Sequence, residues 1–282
     1  MLELPEVEVL RKDLEKEVVG KRVKEADVRN GAVISPFHRS RPDFQSLLEG
    51  RKIEAVRRRG TVLFLDLDED LTWILAPGPT SSVHRETMTE PAGPDTDVVV
   101  IFTTGGAIHV SAASEGESCH MGVVPTAEAL AGAGVSEIAL DLFEESPTWI
   151  EFGERLNAAA APLKSFLMDP AQVLGIGTVY SDEALFEAGL AHTRMSNTLS
   201  TQEVRRLYRS IQEVLQAAIK QRGSSLDDAS PDDAFDEEGE PVGHLRVYGR
   251  EGQPCLRCRR TIVRTELPDG RGSTYHCERC QI

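Results

Sequence analysis

Aromatic residues are scarce: Phe, Trp and Tyr together make up 5% of the 282 residues. No run of about 18 apolar residues occurs, and no apolar signal-type stretch follows Met1, so the sequence points to an intracellular, cytoplasmic protein without a membrane partner. Basic residues are in deficit, with 31 Lys and Arg against 46 Asp and Glu, a net charge of −15. That is the wrong sign for a chain that binds nucleic acid over its whole surface. The seven histidines show neither H-x-E nor H-x3-H spacing, which argues against the commoner catalytic metal motifs. Five cysteines agree with a reducing compartment. There are no internal repeats.

What is present is most specific at the C-terminal end. Cys255 and Cys258 form one C-x2-C knuckle, and Cys277 and Cys280 form another after an arm of 18 residues. Each knuckle can present two thiolates from one tight turn, and the arm suits a two-stranded ribbon. Four sulfurs would close a tetrahedral shell around one structural Zn2+, leaving no position for a reacting water. Such a ribbon is too short to bury a core, so the metal would supply its folding energy, about 10–16 kcal/mol apparent. Two disulfides or a redox C-x2-C are the alternatives. Cys119 is left over as an ordinary thiol.

The charge is uneven. From His244 to the end there are eight Arg and four acids, whereas Leu226–Pro241 holds eight acids and no base. Arg57, Arg58 and Arg59 make a second basic spot. Local patches matter more than the total, although solvated surface charge accounts for such runs equally well.

In chain order, Pro5 sits where helices begin, and Val7, Leu10, Leu14 and Val18 recur at helical spacing up to Gly20. From Arg22 to about Val123, short apolar runs between turns predict strands at 52–56, 62–67, 72–75, 98–102 and 108–110. Residues 68–70, 77–82 and 103–106 read as turns or loops. After a linker at 144–147 the pattern becomes helical, over 149–160, 163–168 and 179–188. A last helix is opened by a Ser200/Glu203 capping box and buries Leu207, Ile211, Leu215 and Ile219. The acidic stretch 227–241 reads as a mobile loop. The fold class is α+β and multidomain: an N-terminal antiparallel β-sandwich with flanking helices (1–143), a helical domain (148–242) and a zinc ribbon (243–282).

Three motifs in order now carry a resemblance. Met1-Leu2-Glu3-Leu4-Pro5-Glu6-Val7-Glu8, the stretch from Leu167-Met168-Asp169 through Gly175-Ile176-Gly177-Thr178-Val179-Tyr180-Ser181-Asp182-Glu183-Ala184-Leu185-Phe186, and Val247-Tyr248-Gly249-Arg250 before the ribbon resemble the formamidopyrimidine-DNA glycosylase and endonuclease VIII family of base-excision repair enzymes. The likeness spans essentially the whole chain. It implies a helix–two-turns–helix DNA-binding motif, double-stranded DNA with abasic or oxidised-base lesions as partner, a monomer, and a nucleoid-associated location. It also implies a mechanism. An N-terminal proline amine attacks C1′ of the damaged nucleotide, the adjacent Glu works on the sugar, and a strand-turn Lys assists. An Asn and a ribbon Arg grip phosphates, and loop side chains fill the gap left by the flipped base.

The chain departs from that pattern at most of these positions. Leu2 stands at the proline position. Met1 before Leu2 is expected to be retained, which moves the free amine by about 3.8 Å, while reaction needs atoms within roughly 3–3.5 Å. Glu3 is kept. Thr61 replaces the Lys and Thr178 the Asn. Pro77 and Cys119-His120-Met121 occupy the gap-filling loops, with Met121 the one apolar wedge. Asp97 replaces a His. Arg271 is the candidate for the ribbon phosphate role, and Arg59 and Tyr180 complete the expected DNA contacts. Three functions follow as expectations: a family scaffold that binds damaged DNA with impaired glycosylase and lyase activity, an active enzyme using the Met1 amine, or a protein-interaction module with no DNA role.

Overall fold

The computed structural model describes residues 2–78, 81–86, 93–112, 119–135, 137–144, 147–223, 245–268, 270 and 272–282. Met1, Arg271, the acidic stretch from Asp227 to Pro241, and parts of the expected loops at 77–82 and 144–147 lie outside the described residues. The chain divides into two compact units, Met1–Glu137 with Arg222–Pro241, and Ile138–Gln221 with Val242–Ile282.

The first unit opens with helix α1 (Leu4–Val18), with Pro5 in its first turn, where a missing N–H costs nothing. Strand β1 (Val23–Val28), a 3-10 turn (Gly31–Ile34) and helix α2 (Arg41–Leu48) follow. Then come β2 (Ile53–Arg59), β3 (Val62–Leu67), β4 (Leu71–Ala76), β5 (Ser82–Glu86), β6 (Val98–Phe102), β7 (Ala107–Ser111) and β8 (His120–Pro125). Two four-stranded sheets, ordered β1-β6-β7-β5 and β2-β3-β4-β8, are antiparallel throughout. The core draws on both: Val98, Val100, Ile108 and Val110 from one, and Leu63, Leu65, Trp73, Leu75 and Val123 from the other. These are alternate positions along each strand, as a period of two requires. Val7, Leu10, Leu14 and Val18 of α1 join the same cluster. A smaller cluster of Val62, Phe64, Ile74 and Ala129 covers the opposite face of the second sheet. That sheet is therefore buried on both sides, which is why β3 reads as an apolar run rather than an alternation. Helix α3 (Ala129–Gly132) closes this side.

The second unit holds α4 (Trp149–Ala159), α5 (Leu163–Leu167), α6 (Thr178–Ala188) and α7 (Thr201–Lys220), then the ribbon strands β9 (Val263–Glu266) and β10 (Ser273–His276). The capping box read at Ser200 and Glu203 is present, and a second one, Thr148 with Glu151, starts α4.

The strand-only reading of 22–123 misses α2 and the 3-10 turn, and it misses β1, β5 and β8. Helix α2 has only eight residues and buries only Phe44 and Leu48, too little to impose a visible period. Its start is nonetheless signalled by Ser40, whose hydroxyl accepts the Asp43 N–H. Strand β5 buries only Val83; its state is set by pairing with β7, not by its own pattern.

Candidate functional site

The four ribbon cysteines converge. Their sulfurs all lie within 4.8 Å of one another, with Cys255 to Cys280 at 3.9 Å and Cys258 to Cys277 at 3.4 Å. A disulfide needs about 2.05 Å, so the four are free thiols, as the structure has them. A tetrahedral zinc shell with Zn–S near 2.3 Å spaces its sulfurs by about 3.8 Å, and the observed spacings bracket that value. The first knuckle is shaped by its backbone: Cys255 N–H donates to the Arg260 carbonyl and Arg259 N–H to the Cys255 carbonyl, with Arg259 left-handed at φ +65°. Burial pushes Cys280 up to about 12, whereas the Arg260 backbone N–H brings Cys258 down to about 7. Four crowded thiols resist joint ionisation, and a divalent cation removes that obstacle. Cys255, Cys258, Cys277 and Cys280 thus fit one structural Zn2+, which when bound cross-links the two knuckles and leaves no open coordination position.

The ribbon is bonded to α6 through two buried acids, Asp182 and Glu183, at 1% and 4% exposure. Asp182 accepts from Thr274 Oγ1 at 2.5 Å, from Tyr275 N–H at 2.8 Å and from Lys164 Nζ at 2.6 Å. Glu183 accepts three successive backbone N–H groups, Arg246, Val247 and Tyr248, at 2.8–2.9 Å. Burial raises both acids from the ordinary carboxylate range, and the hydrogen bonds oppose that shift. Arg257 stacks on Phe186 at 4.4 Å and donates to its carbonyl. Lys164 also donates to the Thr178 carbonyl at 3.2 Å, tying α5 to the start of α6. Thr178 is the first residue of α6. A Cβ at Gly272, the neighbour of Arg271, would sit 3.8 Å from Thr178 Cγ2, so the ribbon turn meets the helix start. Tyr180 is buried.

At the N-terminal end, Leu2 is 8% exposed and belongs to the sandwich core. Glu3 is the N-cap of α1 and is arranged with Glu6 as a capping box; its own N–H donates to Glu6 Oε2 at 3.0 Å. Thr61 sits with Gly60 in the two-residue turn between β2 and β3, where Gly60 takes φ +60° as a tight hairpin requires. Arg58, whose side chain is fully buried, braces that turn: Nη1 donates to the Gly60 carbonyl at 2.8 Å and Nε to Glu8 Oε2 at 3.0 Å. Burial alone would raise Glu8, but the Arg11 and Arg58 guanidiniums outweigh it and hold the carboxyl low.

Other sequence-derived positions fall elsewhere than expected. Met121 is not on a gap-filling loop: it lies in β8 opposite Leu75 with 0% exposure, inside the core. A wedge must leave the surface, so this placement does not suit one. Pro77 and Cys119 are buried as well, and burial pushes the Cys119 thiol up to about 12, an unreactive state. Asp97 braces its own unit, accepting from Asn30 Nδ2 at 2.8 Å and from Ala112 N–H at 2.5 Å. Arg59 Nη2 donates to the Glu137 carbonyl at 2.9 Å. Sequence reasoning missed Arg58, Lys164, Asp182 and Glu183 as structural keystones. The available signal was a pair of adjacent acids, Asp182 and Glu183, just ahead of the apolar Ala184-Leu185-Phe186 of the helix.

A β-sandwich led by a capped helix, and a helical unit bonded to a four-cysteine ribbon, define a multidomain α+β protein of the helix–two-turns–helix class. The family descriptions that match are "Formamidopyrimidine-DNA glycosylase N-terminal domain" over residues 1–113 and "Formamidopyrimidine-DNA glycosylase H2TH domain" over 138–230. Formamidopyrimidine-DNA glycosylase of Desulfitobacterium hafniense is 32% identical over 282 residues, covering 100% of both chains. That of Pediococcus pentosaceus is 34% identical, covering 100% of this chain and 99% of its own. Among solved structures, the complex between the Lactococcus lactis Fpg and an abasic site containing DNA superimposes with a TM-score of 0.87 at 26% identity, covering 99% of each chain. The chain belongs to the formamidopyrimidine-DNA glycosylase family.

Proposed function

We propose that this protein binds double-stranded DNA at abasic or oxidised-base lesions, and that its glycosylase and lyase chemistry is impaired. The observation that carries the impairment is the burial of Leu2 in the sandwich core, at the position where the family resemblance puts a nucleophilic amine. A side chain anchored there fixes the chain start as a packing element. Thr61 in the hairpin turn offers no cation to assist proton transfer, and Glu3 is engaged in capping α1. The DNA reading is supported by the family membership and by solved relatives, the Lactococcus lactis Fpg in complex with an abasic site containing DNA and with N7-Benzyl-Fapy-dG containing DNA. In this reading Thr178, Tyr180, Arg271 and Arg59 are the DNA contacts that the family resemblance implies. The working division is a catalytic-type domain (1–143), a DNA-binding helical domain (148–242) and a zinc ribbon (243–282), in a monomer acting at the bacterial nucleoid.

Borohydride trapping on an abasic-site duplex, run beside Leu2→Pro, tests the chemistry. The expected result is no covalent adduct for the unaltered chain. An adduct at Met1 would establish the active alternative and overturn impairment. A mobility shift with abasic and intact duplexes tests recognition. Equal affinity for the two removes lesion recognition, and no salt-dependent affinity at all would leave a protein-interaction module.

A further inference from the structure

Glu6 and Asp13 lie seven residues apart on α1, two turns or about 10 Å along one face. Both are buried, at 8% and 5% exposure. Two consecutive residues that follow α7 engage them. Arg222 Nη2 pairs with Asp13 Oδ2 at 2.5 Å. Gly223 lies so close to Glu6 that a Cβ there would come within 2.9 Å of Glu6 Cγ and 3.0 Å of Oε1. Both residues are left-handed, Arg222 at φ +63° and Gly223 at φ +96°. Glycine takes that region freely, whereas arginine is strained in it. The other Glu6 oxygen accepts the Glu3 N–H.

Strain at position 222 and the desolvation of Asp13, whose side chain is 7% exposed against 28% for Arg222, both oppose folding, and they persist only where the surroundings over-determine them. We propose that Arg222 and Asp13 are positioning residues for the N-terminal site. Their ion pair seats the Gly223 backbone on Glu6. Glu6, so confined, stays aimed at the Glu3 amide and holds Leu2 and Glu3 in register. A reach of one arginine side chain along α1 lets a single turn set both contacts. The consequence for DNA rests on the proposed lesion-binding function; the latch itself does not.

Amide exchange in the full chain separates the two. In Asp13→Asn the Glu3 amide is expected to exchange about tenfold faster, with the Glu203 amide at the α7 cap unchanged. Arg222→Lys, which keeps the charge, is expected to retain most of the protection. Arg222→Gly relieves the backbone strain, so it folds, yet it is expected to show the same acceleration at Glu3. Unchanged Glu3 exchange in folded Arg222→Gly overturns the proposal. Abasic-duplex affinity is expected to fall about fivefold, roughly 1 kcal/mol, in Asp13→Asn and Arg222→Gly and to stay near that of the unaltered chain in Arg222→Lys. If the unaltered chain shows no preference for the abasic duplex, the functional reading fails while the exchange data still decide the latch.

Discussion

Arg58 shows how much one side chain can decide. It is fully buried, joins Glu8 of α1 to the β2–β3 turn, and is matched by a Glu8 side chain 5% exposed. Replacing it by Met leaves a buried carboxylate with Arg11 as its main remaining partner. The expected loss is about 3 kcal/mol, the low end for breaking one side of a buried pair, visible as a lower urea midpoint with an unchanged slope. A loss within the range of a surface substitution would mean that Arg11 and Lys12 suffice for Glu8. Glu183 makes the opposite case, because its partners are three backbone N–H groups rather than a cation. A glutamine there keeps one acceptor oxygen where the carboxylate has two.

At the scale of elements, the ribbon is where a bound metal is expected to supply order. Its hydrophobic cluster is Val247, Cys255, Ile262 and Cys277 packed with Phe186, and among the described residues Leu245 and Leu267 are the other buried apolar ones of the segment, a small core against the entropy of ordering about forty residues. Native mass spectrometry is expected to find one zinc per chain, and chelation to release it together with the order of β9 and β10. Asp182 would then lose Thr274 and Tyr275, and the loosening should reach α6 while α1 and the sandwich stay protected from exchange. A chain that keeps ribbon protection after complete metal removal would contradict this.

For the whole molecule, pH acts through imidazoles that are buried (His38, His109) or half-buried (His192, His276). His38, His109, His192 and His276 are all held below the ordinary imidazole value, burial being the largest cause in each, and His192 falls to about 4. The unfolded chain therefore takes up protons first, so stability is present above the unfolded value of about 6.5 and is lost as pH falls through the folded values. Asp182 and Glu183, shifted upward, work in the other direction, which makes a single-site comparison the cleaner measurement. His38 Nε2 accepts the Val123 N–H at 2.9 Å, linking the segment before α2 to β8. In His38→Gln the acceptor is kept and the titration removed. The drop in urea midpoint between about pH 7.5 and pH 5.5 is expected to shrink relative to the unaltered chain; an equal drop would show that His38 does not contribute. The net charge of −15 is no obstacle to a local basic face, since the ribbon carries Arg in excess.

The sequence by itself determined whatever depends on neighbours within a turn or two. The paired knuckles named the metal site, the period of Val7, Leu10, Leu14 and Val18 named α1, and Ser200 with Glu203 named the start of α7. These signals are local because a knuckle, a helix face and a cap are each closed by residues a few positions apart. Only the tertiary structure decided that Met121 is core, that Asp97 is a brace, that Asp182 and Glu183 hold the ribbon, and that Arg222 reaches back to Asp13. Each of those roles is set by a partner tens to hundreds of residues away, so the side chain's chemistry stays ambiguous until the fold supplies what it faces.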